Sequence, residues 1–149
     1  MNEIYLASSW KNEYYPSVLQ SLRTAGHSVY DFRTARGSGF SWASIDKNWL
    51  DWVKNPKLYL EALDHPNSID GFNLDFAALQ QCEICIFLMP CGVSASLEAG
   101  WAKGAGKKLV VYIPELREAN IDLMVKMADL ITDDLQKVLD FCRLNLRGQ

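Results

Sequence analysis

Short apolar runs alternate along this chain with longer stretches in which apolar residues recur at helical spacing. The apolar runs predict five strands, at residues 4–7, 29–32, 84–89, 109–113 and 130–131. The helical spacing predicts helices over residues 14–25, 42–63 in two pieces broken at Asn55–Pro56, 72–81, 94–105, 121–128 and 133–144. Strands and helices therefore alternate along nearly the whole chain.

The predicted strands lack the outward polar alternation of a sheet with one wet face, which indicates a parallel sheet covered by helices on both sides. We predict an α/β fold: one domain over residues 1–149, with a five-stranded parallel, doubly wound sheet of flavodoxin-like or Rossmann-like order. Such sheets bind ligands beyond the carboxyl ends of their strands. Residues 8–12, 90–98 and 114–124 should line that edge.

Composition narrows the function classes. The chain has 149 residues, 49% hydrophobic and 22% charged, and a formal net charge of -3, which disfavours nucleic acid as a partner. Its longest apolar run has six residues, whereas a membrane span needs roughly 20. With no secretory pattern at the start, we expect a cytoplasmic protein with reduced cysteines and no membrane partner. Cys82 and Cys85 are poorly placed for a metal site with His27 or His65, so we expect no metal.

Glu98 is the sharpest candidate for chemistry. We predict it in the first turn of the helix that follows the most hydrophobic strand, close to Ser94 and Ser96. The helix dipole there favours an ionised carboxylate, which a carboxylate nucleophile requires. Acidic residues also occur at helix N-termini for purely structural reasons, so the position alone admits both interpretations.

Three further residues could act with Glu98. Asp75 lies among apolar helix residues that would favour a proton-donating carboxyl, although a solvated acid on a helix face fits as well. Tyr5 interrupts an apolar strand, and its hydroxyl needs a partner if buried, which a carboxylate could provide. Carboxylates about 5 Å apart support double displacement at an anomeric carbon. Trp10, just after the first strand, could stack on a planar heterocycle.

In order and spacing, several segments of the chain resemble the nucleoside 2-deoxyribosyltransferase family, which is related to nucleotide N-glycoside hydrolases. The matching segments are IYLASSW at residues 4–10, PCGVSASLEAGWA at 90–102, GKKLVVYIP at 106–114 and IDLM at 121–124. Asp75 corresponds to the family's acid near the leaving base. The resemblance covers most of the chain.

The resemblance implies a reaction. Glu98 would attack C1′ of a 2′-deoxyribonucleoside, Asp75 would protonate the departing base, and Tyr5 would orient Glu98. A second base would then take the sugar from the glycosyl ester. The resemblance implies neither a metal nor an organic cofactor, and it implies a homo-oligomer whose sites are shared between subunits. The substrate-binding set that it implies is Ser8, Trp10, Gly92, Ser94, Ser96, Asp122 and Met124.

Two departures from the family's pattern bear on the substrate. Gly92 stands where related enzymes carry an Asp for the sugar 5′-hydroxyl or a Ser for a 5′-phosphate, and Asp122 stands where a neighbour's Asn is common. A carboxylate accepts a hydrogen bond from a hydroxyl and repels a phosphate, so we predict a free nucleoside. The two serines of the helix, with Arg33 or Arg36 in the loop at residues 33–41, keep a phosphorylated substrate open.

Two other functions stay open at this point. The first is a hydrolase of nucleosides or nucleoside monophosphates, because the same glycosyl ester could pass its sugar to water. The second is a nucleotide-sensing module that binds in the same crevice without turnover.

Overall fold

The computed structural model describes residues 2–35, 37 and 39–146. Arg36, one of the two arginines considered for anion binding, lies outside these residues. The chain divides into two compact units. The sheet unit comprises Met1–Asp31 with Ala78–Gln149, and the helical unit comprises Phe32–Ala77.

The sheet unit is built on five parallel strands. They are β1 (Ile4–Ala7), β2 (Val29–Tyr30), β3 (Ile84–Leu88), β4 (Lys108–Tyr112) and β5 (Leu130–Thr132). Their order is β2-β1-β3-β4-β5, with helices on both faces. The predicted fold class and flavodoxin-like order are confirmed. All of β1 and β3 is buried, as expected for strands covered on both sides.

The α-helices begin and end close to the predicted positions in the sheet unit and less so in the helical unit. They are α1 (Tyr15–Thr24), α2 (Pro56–Leu63), α3 (Pro66–Gln81), α4 (Val93–Gly104) and α5 (Leu135–Asn145). The predicted helix at 72–81 begins six residues earlier because Pro66 suits a first helical position. The first piece of the predicted 42–63 helix forms only the 3₁₀ turns Trp42–Ser44 and Trp49–Lys54.

The helical unit packs around aromatic rings. Trp42 contacts the rings of Phe40, Trp52 and Tyr59 edge to face, with centroids 4.7 to 5.9 Å apart. The indole N–H of Trp52 donates to the Asp46 carboxylate at 3.0 Å. Trp42 and Trp52 therefore belong to one aromatic cluster within this unit.

Helix α4 lies close against the sheet because the residues on its buried face are small. Those residues are Ala95, Ala99 and Ala102, and the helix packs over β1, β3 and β4. Alanine side chains allow a helix and a sheet to pack closely together. None of the helices in the described part of the chain is both long and apolar enough to cross a membrane.

Candidate active site

The buried hydroxyl of Tyr5 meets the carboxylate of Glu98. Tyr5 lies on β1 and is 1% exposed, and its hydroxyl donates a hydrogen bond to Oε2 of Glu98 on α4. Glu98 itself is half-buried. The hydroxyl thus has the carboxylate partner that a buried phenol on an apolar strand requires. A hydrogen bond from a buried donor holds the carboxylate in one orientation.

Glu98 lies in the second turn of α4, so its predicted place in the first turn is wrong. The helix begins at Val93, directly after Gly92, which makes Glu98 the sixth helical residue. The helix dipole acts mainly within the first turn, and its effect on this carboxylate is correspondingly small. The hydrogen bond from Tyr5 takes over the stabilisation of the charge.

The thiols of Cys85 and Cys91 lie near Glu98 and are protonated, because their pKa values are raised. Burial, with a smaller contribution from the Glu98 charge, raises the pKa of the Cys91 thiol to about 12. Burial likewise raises the pKa of Cys85 well above its usual range, with smaller contributions from Cys82 and Glu98. Because only a thiolate is a good nucleophile, neither protonated thiol is suited to nucleophilic attack.

The ring of Tyr5 is itself supported by Tyr30 on β2. The two residues are register partners, and their rings stack with centroids 5.5 Å apart and an angle of 16° between planes. Such stacking fixes the plane of the Tyr5 ring and with it the direction of the hydroxyl. Sequence analysis did not single out Tyr30, because its apolar neighbours suggest only an ordinary strand residue.

The loop after β1 is fastened to the end of β3. The hydroxyl of Ser8 donates to the Leu88 carbonyl at 2.9 Å, and Nδ2 of Asn12 donates to the carbonyls of Leu88 and Pro90 at 3.3 and 3.1 Å. Trp10 lies between them and is 47% exposed. The loop therefore presents an accessible ring on a fixed backbone. Base contacts from Ser8 and Trp10 stay predictions.

Open space adjoins the start of α4. Gly92 precedes the helix without a side-chain cap, and a Cβ built on it would meet no atom within 4 Å. Ser94 is exposed in the first turn. The hydroxyl of Ser96 donates to the Gly92 carbonyl at 2.9 Å, which engages its proton within the helix. Substrate contacts from these three residues stay predictions.

The loop after β4 meets the loop after β3 through Asn120. Its side-chain amide bonds the backbone of Cys91, so residues 121–124 begin beside the start of α4. The predicted helix at 121–128 is instead the 3₁₀ helix Leu123–Met127, preceded by the 3₁₀ turn Glu118–Asn120. Asp122 caps the later one, since its Oδ1 accepts from the Met124 N–H at 2.7 Å. Met124 is 63% exposed.

Asp75 lies on α3 within the helical unit, whereas Glu98 belongs to the sheet unit. Asp75 is half-buried, but its apolar neighbours Phe72 and Leu74 are exposed by 62% and 40%. The pairing of the two carboxyl groups stays a prediction.

Asn12 and Asn120 are the loop-fastening residues that sequence analysis missed. Asn12 had a local signal, because its Oδ1 accepts from the Tyr14 N–H two residues on, a turn that asparagine favours. Asn120 had none, since its partner lies 29 residues away. Across residues 2–35, 37 and 39–146, no three or more His, Cys, Asp or Glu side chains are grouped to hold a metal ion.

Comparison with known proteins places the fold. No protein-family model and no curated protein matches this chain. The solved structure of 2-deoxyribosyltransferase from Bacillus psychrosaccharolyticus matches with a TM-score of 0.61 and 21% identity over 98% of this chain and 98% of that one. CMP N-glycosidase BcmB of Clostridium botulinum matches with a TM-score of 0.50 and 17% identity over 96% and 98%. The chain therefore has the fold of a 2-deoxyribosyltransferase, as its resemblance in sequence implies.

Proposed function

We propose that this chain is a cytoplasmic N-deoxyribosyltransferase that moves 2-deoxyribose between nucleobases, as in nucleoside salvage. The observation that carries the proposal is the hydrogen bond from buried Tyr5 to Glu98. It occurs in a chain with the fold of a 2-deoxyribosyltransferase. A carboxylate held in one orientation by a buried hydroxyl suits covalent catalysis at a sugar carbon. The substrates are a small-molecule nucleoside and a free nucleobase.

In the first half-reaction, a carboxylate oxygen of Glu98 attacks C1′ of the nucleoside. The C1′–N bond breaks, its electron pair leaves with the base, and Asp75 gives that base a proton. The product is a glycosyl ester on Glu98. Tyr5 keeps the carboxylate in the attacking orientation.

In the second half-reaction, a nitrogen of the incoming base attacks C1′ and the ester bond breaks, which restores the Glu98 carboxylate. Asp75 takes the proton that the incoming base loses. Two displacements at the same carbon retain its configuration. The side chains of the protein supply the acid, the base and the nucleophile, so the proposal includes no cofactor.

A hydrolase is the second candidate, because water can replace the incoming base in the second half-reaction. The likeness in fold to CMP N-glycosidase favours this candidate. We propose a free nucleoside as substrate in either case. Gly92 leaves open space where a hydroxyl can lie, and the exposed carboxylate of Asp122 would repel a phosphate.

We also propose that the enzyme is a homo-oligomer whose sites are completed by Asp122 and Met124 of a neighbouring subunit. Three hydrogen bonds join residues 120–129 to α4 and to the residue just before its N-cap: Asn120 makes two with the backbone of Cys91, and Asp129 accepts one from Lys103 at 2.9 Å. This segment therefore runs alongside α4.

Helix α4 and the segment of residues 120–129 both carry exposed apolar side chains. They are Val93, Leu97 and Trp101 on α4, and Ile121, Leu123, Met124 and Met127 on the segment. Together they form an apolar patch, which a second copy of the chain can cover with its own equivalent patch.

Replacing Glu98 tests the nucleophile. Glu98→Gln keeps an oxygen that can accept from Tyr5 but removes the nucleophilic carboxylate, so we expect kcat for base exchange to fall by at least about 10³-fold. The matched control is Glu83→Gln, which changes an exposed acid at the start of β3 and should leave kcat unchanged. Near wild-type turnover by the Glu98 variant would refute its role.

Product analysis separates transfer from hydrolysis. With deoxyinosine and free adenine, we expect the wild-type protein to yield deoxyadenosine and hypoxanthine, measured by liquid chromatography. Hypoxanthine with free deoxyribose as the only sugar product would instead identify a hydrolase. Tight nucleotide binding without turnover, unaffected by Glu98→Ala, would identify a sensing module.

A charge placed in the apolar patch tests the oligomer. Leu97 is 70% exposed on α4, and Leu97→Glu should convert the oligomer to monomer in sedimentation velocity runs at micromolar concentration, because burying an unpaired carboxylate is costly. Leu144→Glu, at a residue 76% exposed on α5, should leave the oligomer intact. A monomeric wild-type protein would contradict the proposal.

A further inference from the structure

Besides the bond from the Ser8 hydroxyl to the Leu88 carbonyl, three side-chain links tie together the loops that follow β1, β3 and β4. Asn12 joins the β1 loop to the end of β3 through the Leu88 and Pro90 carbonyls. The hydroxyl of Tyr14 donates to Glu115 at 3.2 Å and joins the β1 loop to the β4 loop. Asn120 joins the β4 loop to the β3 loop. The three loops at the ligand edge are thereby cross-linked in a closed set.

Asn120 differs from Asn12 and Tyr14 because its side chain bonds both the backbone N–H and the carbonyl of a single residue, Cys91. Its Oδ1 accepts from the backbone N–H of Cys91 at 3.2 Å, and its Nδ2 donates to the Cys91 carbonyl at 2.8 Å. This geometry needs an acceptor and a donor in one planar group. A carboxylate supplies only acceptors, and a methyl group supplies neither.

Cys91 directly precedes Gly92, which caps α4, and Glu98 follows within the second turn of that helix. An α-helix is stiff over two turns, so a tilt of its first turn carries the Glu98 carboxylate with it. The Cys91 thiol also lies near enough to Glu98 to feel its charge. The two hydrogen bonds from Asn120 to Cys91 therefore affect the position of the Glu98 carboxylate.

The same segment also holds the far end of α4. Lys103, in the last turn of the helix, donates to Asp129 at 2.9 Å. Asp129 in turn accepts from the backbone N–H of Leu109 on β4 at 2.8 Å. Residues 120–129 thus brace α4 at both ends against the sheet, and Asn120 forms the end of the brace nearer to Glu98.

We propose that Asn120 is a positioning residue of the Glu98 site: it holds the Cys91–Gly92 backbone, and through α4 it couples residues 121–124 to the nucleophile. This inference rests on the proposed function, which supplies the reaction that Glu98 performs. Asn120 acts through the helix and does not itself touch the substrate.

Asn120→Ala and Asn120→Asp test the inference in the full-length protein. Ala removes both bonds, and Asp loses the donor and sets a negative charge against the Cys91 carbonyl. Since a small misplacement of a reacting group can cost up to about 10²-fold, we expect kcat for base exchange to fall about 10- to 100-fold, with KM changed by less than about threefold. The control is Asn145→Ala, which removes one amide-to-carbonyl bond, to Phe141 at 2.8 Å on α5, and should leave both constants unchanged.

Hydrogen–deuterium exchange of residues 90–96 supplies a readout that needs no activity. We expect exchange about tenfold faster in Asn120→Ala than in Asn145→Ala, with similar melting temperatures for the two variants. Equal exchange, or an unchanged kcat in a folded Asn120→Asp, overturns the inference. If the wild-type protein shows no turnover, the proposed function is overturned. Faster exchange in Asn120→Ala would in that case still support the role of Asn120 in holding the backbone before α4.

Discussion

The site depends on one buried phenol that must find a partner. Tyr5 sits on a central strand with almost no exposure, where an unbonded hydroxyl would be costly. The partner is the Glu98 carboxylate, and the requirement works in both directions, because a half-buried carboxylate also needs a donor. A single contact thus gives the buried hydroxyl its partner and orients the carboxylate that we propose as the nucleophile.

The surroundings of this contact favour a carboxylate nucleophile over other groups. Burial keeps the thiols of Cys85 and Cys91 protonated beside Glu98, and the ring of Tyr30 supports that of Tyr5. The buried face of α4 consists of the small residues Ala95, Ala99 and Ala102, and the phenol bonds a carboxylate of this helix. The Tyr5–Tyr30 register, the stacking of their rings and the hydrogen bond from Tyr5 all act on the orientation of this one carboxylate, and such preorganisation is what the proposed covalent catalysis needs.

The pattern of apolar residues along the chain predicted those features that depend on neighbouring residues, above all the strands and helices of the sheet unit. The five strands, their parallel order and the buried face of α1 follow from apolar runs and helical spacing. The 3₁₀ turns near Trp42 and Trp49 were predicted as a helix, because side-chain spacing alone does not distinguish the two hydrogen-bond patterns. Glu98 was assigned to the first turn although it lies five residues into the predicted helix at 94–105, and the observed start at Val93 makes it the sixth helical residue.

The candidate site could be predicted only in part. The need of the Tyr5 hydroxyl for a partner followed from its place in an apolar strand, Glu98 was a candidate from its position after the most hydrophobic strand, and the resemblance supplied its role as nucleophile. The grips of Asn12 and Asn120 on distant backbone could not be predicted, since each joins residues far apart in the chain and depends on how the loops pack. The partnership of Asp75 with Glu98 was a hypothesis from its apolar helix neighbours, the resemblance gave Asp75 its role toward the base, and the pairing stays a prediction.

The most direct test is mass spectrometry of the wild-type enzyme after incubation with a 2-fluoro-2-deoxynucleoside, which slows breakdown of the glycosyl ester. The account predicts one added fluorodeoxyribosyl group on the peptide that contains Glu98, and its loss when free nucleobase is added. An adduct on another residue, or turnover of nucleosides with no adduct at all, would contradict it.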